Sequence, residues 1–196
     1  FNNNGNILVA PGGFTSAGHN NWVRADIYSF ANEAWQNLSD DEANKDSLDP
    51  LRDVIQFASM KNSNHYMAAA WNYGLIEVSE GKIINTYNHN YKSYTQGLEF
   101  SDGYLYEGTG QYGESMLFKT DLYKNEIIHS VNLPSDVFGE GITLLNDKIY
   151  QLTWRSSIGF VYNKETFEKL YEFSYPTEGW GLTNNGKELI MSDGTE

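Results

Sequence analysis

Five short strand-like runs, each ending in Gly or Trp, recur along this chain. They are Ile7 to Gly12, His65 to Trp71, Tyr104 to Gly108, Lys148 to Trp154 and Glu188 to Gly194. Their starts are separated by 58, 39, 44 and 40 residues. The longer first offset is accounted for by an acidic, Asn-rich insertion around Ser39 to Pro50. A period near 40 with several strands per unit is the mark of a β-propeller, because one unit cannot bury its apolar face alone and must stack on the next.

Each unit also reads as one blade. Gly141 to Leu145 is a strand, Asn146-Asp147 a tight turn, and Lys148 to Trp154 the next strand. Ile158 to Asn163 and Phe167 to Tyr175 complete four, split around Lys164-Glu165. Leu98 to Leu133 repeats the plan, with turns at Ser101-Asp102-Gly103 and Lys124-Asn125. Asp53 to Tyr87 is a third copy, with turns at Asn62-Ser63-Asn64, Asn72-Tyr73-Gly74 and Glu80-Gly81. Asn, Asp and Gly supply the positive φ that tight hairpins require. The first unit lacks an innermost strand, and the last holds two strands, near Gly181 to Thr183 and Lys187 to Met191. The expectation is an all-β propeller of about four blades, incomplete at both ends. It is expected to be an excised fragment or a ring with unusual closure, since an open ring leaves unpaired strand edges.

The aromatic content, with 14 Tyr, 10 Phe and 5 Trp, suits strands. A net charge of −13 argues against nucleic acid and anionic membranes as partners. No apolar run is long enough for a membrane-spanning helix, and no signal peptide is expected. Absence of Cys excludes a disulfide framework, thiolate catalysis and Cys-ligated zinc. His19, His65, His89 and His129 lack metal-ligand spacing, so no metal or other cofactor is expected. Asp40-Asp41-Glu42 reads as a solvated loop, and Asn37-Leu38-Ser39 fits a glycosylation sequon by pattern only.

From about residue 87 to 196, five motifs follow one another. They are Tyr94-Thr95-Gln96-Gly97-Leu98, Glu107 to Gly113, Phe138-Gly139-Glu140-Gly141-Ile142-Thr143-Leu144-Leu145, Tyr150 to Trp154, and Gly179-Trp180-Gly181-Leu182. In this order and spacing they resemble the glutamine cyclotransferases, the plant-type glutaminyl-peptide cyclases also found in bacteria. Residues 1–86 are more similar to the sensor-type propeller repeats of two-component regulators. That likeness rests on Ile7 to Gly13, Ala25 to Phe30 and Asn64 to Glu77. The expected division is therefore 1–86 of regulator-repeat type and 87–196 of cyclotransferase type, within one continuous propeller.

The resemblance implies a five-bladed propeller, periplasmic or secreted, that converts N-terminal Gln of peptides and proteins to pyroglutamate with loss of ammonia. That reaction needs a proton shuttle, a donor to the developing oxyanion and a dry pocket. The family pattern places the shuttle at Glu140, which sits between two glycines at the start of an apolar strand. Phe138 and Trp154 are expected to desolvate it and raise its pKa. Gln96 is expected to hydrogen-bond the substrate amide. Tyr94, where the family usually has Phe, joins Phe138, Trp154 and Trp180 as the pocket wall. Glu107 and Tyr112 match a motif equally compatible with a structural role. The family's later cavity residues, an Asn, a Trp and a Lys, fall beyond Glu196. Trp22 and Trp71 are candidates for a replacement aromatic wall. The competing expectation is a non-catalytic binding or sensor module, for which Glu140 would face bulk solvent.

Overall fold

The computed structural model describes residues 7–9, 28–31, 33–37, 54–60, 65–70, 74–79, 82–89 and 93–194. Trp22, Trp71, His19, the acidic insertion and the turns at 62–64, 72–73 and 80–81 lie outside the described residues. The chain divides into two compact units, Phe1–Tyr91 and Lys92–Glu196. Every described element is a β-strand. No helix among the described residues is long and apolar enough to cross a membrane.

The first unit contains two antiparallel sheets. One has three strands in the order β1 (Ile7–Val9), β2 (Tyr28–Ala31) and β3 (Ala34–Asn37). The other has four, β4 (Val54–Ser59), β5 (His65–Ala70), β6 (Gly74–Ser79) and β7 (Lys82–Tyr87), paired in chain order. The central strands β5 and β6 are buried on both faces, and β7 is largely exposed. Val54, Tyr66, Ala68, Ala70, Ile76 and Val78 form this sheet's core. Meanders of this kind pair each strand with its sequence neighbour, so short hairpins alone set their order.

The second unit holds two further four-stranded meanders and a hairpin. The first meander is β8 (Thr95–Ser101), β9 (Tyr104–Thr109), β10 (Met116–Asp121) and β11 (Glu126–Asn132). The second is β12 (Gly139–Leu145), β13 (Lys148–Thr153), β14 (Ile158–Asn163) and β15 (Lys169–Ser174). The hairpin pairs β16 (Leu182–Asn184) with β17 (Leu189–Met191). The strand β12 packs between β8 and β16, so within this unit the first strands of successive sheets lie side by side. Tyr106, Leu117, Ile142, Ile149, Phe160 and Phe167 belong to the core that joins the two meanders.

The turns follow the expected chemistry. Asn146 and Asp147 have φ of 50° and 57°, and Asp102 and Gly103 have 54° and 85°. Both pairs are left-handed at two successive positions, which matches the right-handed twist of the flanking strands. Asp147→Val puts a β-branched side chain at positive φ and is expected to cost about 1–2 kcal/mol. Urea denaturation measures this directly.

Several strand starts differ from the sequence reading: β8 begins at Thr95 rather than Leu98, β12 at Gly139 rather than Gly141, and β17 at Leu189 rather than Lys187. The last strand of the second meander begins at Lys169 rather than Phe167. Asn163 accepts hydrogen bonds from the backbone N–H of Glu165 and Thr166 through its side chain, which folds a turn there. Phe167 sits in that turn with φ of 60°, its ring buried and stacked against Tyr106 and His129. Burial of the ring offsets the backbone strain.

Candidate active site

The first strand of each four-stranded sheet carries one extra residue near its start. In β12, Gly139 pairs with Thr153 and Ile142 with Gln151, so Glu140 and Gly141 together oppose Leu152. In β8, Thr95 pairs with Thr109 and Gly97 with Gly108, which makes Gln96 the extra residue. In β4 the same position falls to Ile55. Ahead of β16, the Trp180 N–H donates to the Ser192 carbonyl while the Ser192 N–H donates to the Gly181 carbonyl. Trp180 and Gly181 thus share Ser192. A bulge takes its residue out of the strict in–out alternation and re-aims the side chain. Gln96, Glu140 and Trp180 are therefore equivalent residues on three neighbouring first strands.

Glycine makes this packing possible. A Cβ on Gly141 would lie 2.5 Å from the Trp180 carbonyl oxygen and 2.6 Å from the Leu182 nitrogen. The Gly141 N–H instead donates to that carbonyl at 2.9 Å, joining β12 to the hairpin. A Cβ on Gly110 would lie 2.5 Å from Phe138 Cζ and 3.1 Å from Gln96 Cγ. The Phe138 ring and the Gln96 side chain therefore meet over one glycine backbone.

Phe138 is the hub of the aromatic wall. Its ring makes edge contacts with Tyr94 at 6.0 Å, Tyr112 at 5.6 Å and Trp154 at 5.7 Å between centroids. Edge-to-face geometry of this kind is the favoured one for aromatic pairs. Tyr94, Phe138 and Trp154 are all half-buried, whereas Tyr112 is exposed. Trp180 is 46% exposed and joins this group through a carboxylate rather than ring contact. Its indole N–H donates to Glu178 Oε2 at 3.2 Å, and the Trp154 indole donates to the same oxygen at 2.7 Å.

Glu140 is half-buried rather than directed into bulk solvent. Burial pushes its carboxyl up to about 8, and the nearby Glu178 charge adds to the effect. Tyr94 is raised first by burial and then by the Glu140 charge, and Tyr175 also feels that charge. Glu178 itself is held low, chiefly by the Trp180 hydrogen bond, with Trp154 and Arg155 contributing. Two carboxyls are thus pushed apart, one toward the acid form and one toward the anion.

Glu107 occupies a different setting. It is 5% exposed and accepts a hydrogen bond from Thr95 Oγ1 at 2.6 Å, tying β8 to β9 inside the sheet. Among the described residues no group of His, Asp or Glu side chains is arranged to hold a metal ion. Glu178, Arg155 and Tyr175 were not singled out by motif. Glu178 was legible all the same. Aligning Phe138-Gly139-Glu140-Gly141 with Glu178-Gly179-Trp180-Gly181 puts it at the position of Phe138.

Residues 55–196 match the family model of the glutamine cyclotransferases. The chain belongs to this family. The match reaches upstream of residue 87 and takes in nearly all of the sheet from β4 to β7. A glutaminyl-peptide cyclotransferase of Arabidopsis thaliana is 34% identical over 120 residues, which cover 60% of this chain. Those residues are 38% of that relative, so the chain spans well under half of its length. The crystal structure of Myxococcus xanthus glutaminyl cyclase is similar with a TM-score of 0.50 and 30% identity. It covers 55% of this chain and 45% of that one. The WD40 β-propeller domain of Doa1 is similar over 94% of this chain and 56% of its own, with a TM-score of 0.65 and 14% identity. That likeness concerns fold alone, and it places the family member's sheets among propeller blades.

Proposed function

We propose that this chain carries a glutaminyl-peptide cyclotransferase site that converts N-terminal Gln to pyroglutamate and releases ammonia. The observation that carries the reading is Glu140 itself. It is a half-buried bulge residue whose charge reaches Tyr94 of the aromatic wall and whose carboxyl is pushed up to about 8. Such a group holds a proton at neutral pH and is still able to exchange it.

In the proposed reaction the substrate's α-amine attacks the Cδ carbon of its own side-chain amide. The new N–C bond closes a five-membered lactam. One Glu140 oxygen takes the proton shed by the attacking amine, and the acid proton goes to the leaving nitrogen. Ammonia departs, and Glu140 ends as the acid with which it began. Gln96, the equivalent bulge residue on the neighbouring strand, is assigned to hydrogen-bond the substrate amide. Tyr94, Phe138, Trp154 and Trp180 supply the flat surfaces against which the Gln methylenes fold back. The reacting atoms belong to one residue, so the pocket's main task is to restrict rotamers.

The test is ammonia release from a Gln-initiated peptide, with an Asn-initiated peptide as the control for substrate length. Turnover of the first and not the second supports the reading. No turnover by folded protein overturns it.

A further inference from the structure

One carboxylate gathers polar contacts from two residues of the aromatic wall. Glu178 Oε2 accepts from both indoles, while Oε1 accepts from Arg155 Nε at 3.0 Å. The Arg155 guanidinium in turn lies 3.9 Å from the centroid of the Trp154 ring. A charge-assisted bond to each indole fixes the orientation of both rings about χ2. The blade alignment adds an independent observation. At the positions equivalent to Glu178 the two preceding sheets carry aromatic residues, Tyr94 and Phe138. A carboxylate stands here where the repeat elsewhere builds wall.

Resting on the cyclotransferase reading above, we propose that Glu178 is the positioning residue of the site, clamping Trp154 and Trp180 into one wall while its charge acts on Glu140. It touches no reacting atom in this scheme. Its effect runs through the indoles and through Glu140. The ionisable groups acting on or around the Glu140 carboxyl are Glu178, Tyr94 and Tyr175. At neutral pH Glu178 is the charged group among these three, and its charge biases the Glu140 proton. Arg155 partly neutralises that charge by its ion pair, and sits on the exposed side of the wall.

Glu178→Gln separates the two roles with little change of shape. It keeps one carbonyl acceptor and loses the charge. The Glu140 titration is followed by carboxyl NMR on glutamate-labelled protein, with the resonance identified by its loss in Glu140→Gln. The expected result is a midpoint about one unit lower in Glu178→Gln than in the native chain. The alkaline limb of the turnover profile should move acidward with it. Fluorotryptophan resonances of Trp154 and Trp180, assigned by Trp→Phe replacement, should broaden or shift in Glu178→Leu and return in Glu178→Asp. Turnover should fall about ten-fold in Glu178→Leu through misplacement of the wall. An unchanged Glu140 midpoint in Glu178→Gln, or unmoved indole resonances in Glu178→Leu, overturns the proposal. If the native chain releases no ammonia while both spectroscopic responses occur, the cyclotransferase reading fails and the positioning role of Glu178 stands.

Discussion

Glu140→Gln is expected to lower ammonia release from a Gln-initiated peptide by about 100- to 10,000-fold, the range that a positioned acid–base group contributes. The substitution keeps the shape of the side chain and removes the exchangeable proton, so KM should change far less than kcat. The native chain should also lose turnover as pH rises through about 8, where burial and the Glu178 charge place the Glu140 midpoint. Above that value the carboxyl no longer holds the proton that the leaving nitrogen needs.

Stability reports on the same group with a definite sign. Between the ordinary carboxylate range and about 8, folded Glu140 keeps a proton that the unfolded chain has released. Its contribution is therefore full at acid pH and is lost progressively as pH rises toward 8. Glu140→Gln has no charge to bury. Urea melts should show the variant gaining about 2 kcal/mol on the native chain between about pH 5 and pH 8. The figure is set below the full conversion of the shift because solvent reaches the group. Equal turnover by both proteins, or a stability difference independent of pH, would remove Glu140 from the proposed role.

Gly141→Ala is expected to be strongly damaging at the junction of β12 with the β16–β17 hairpin. Its Cβ would meet the Trp180 carbonyl oxygen and the Leu182 nitrogen, both backbone atoms with no rotamer to yield. Either β12 and the β16–β17 hairpin separate or the Gly141 to Trp180 hydrogen bond breaks. A loss of about 3 kcal/mol follows from overpacking against backbone. Amide exchange at Gly141 and Ser192 should accelerate more than exchange in β9 or β10, which lie away from the junction. Gly103→Ala serves as the contrast, since a Cβ there meets nothing within 4 Å and the cost reduces to its φ of 85°.

Much of the architecture was legible because hairpin chemistry is local. Asn146-Asp147 and Asp102-Gly103 announce their turns from two residues each, and the strands between them repeat near 40 residues. Turns such as the one at Phe167 were less legible. There a side-chain acceptor, Asn163, competes with strand pairing, and a buried ring holds a backbone conformation that Phe ordinarily avoids. Glu140, Gln96 and the proposed wall residues stand within the family motifs, while Glu178 directly precedes Gly179-Trp180-Gly181-Leu182 and belongs to none of them.

The sequence by itself determined the turns, the meander order of the strands and the family. Each of these rests on interactions within a few dozen residues, encoded by turn residues and alternation. Only the tertiary structure decided which residues leave the alternation, because a bulge is a matter of register between two strands and not of composition. Only it decided that Trp154 and Trp180, 26 positions apart, share one oxygen of Glu178. The raised Glu140 carboxyl was an expectation of the sequence, but the Glu178 charge that adds to it came only from the tertiary structure. Burial and a neighbouring charge are properties of what surrounds a carboxyl in space, and those neighbours come from separate strands and loops.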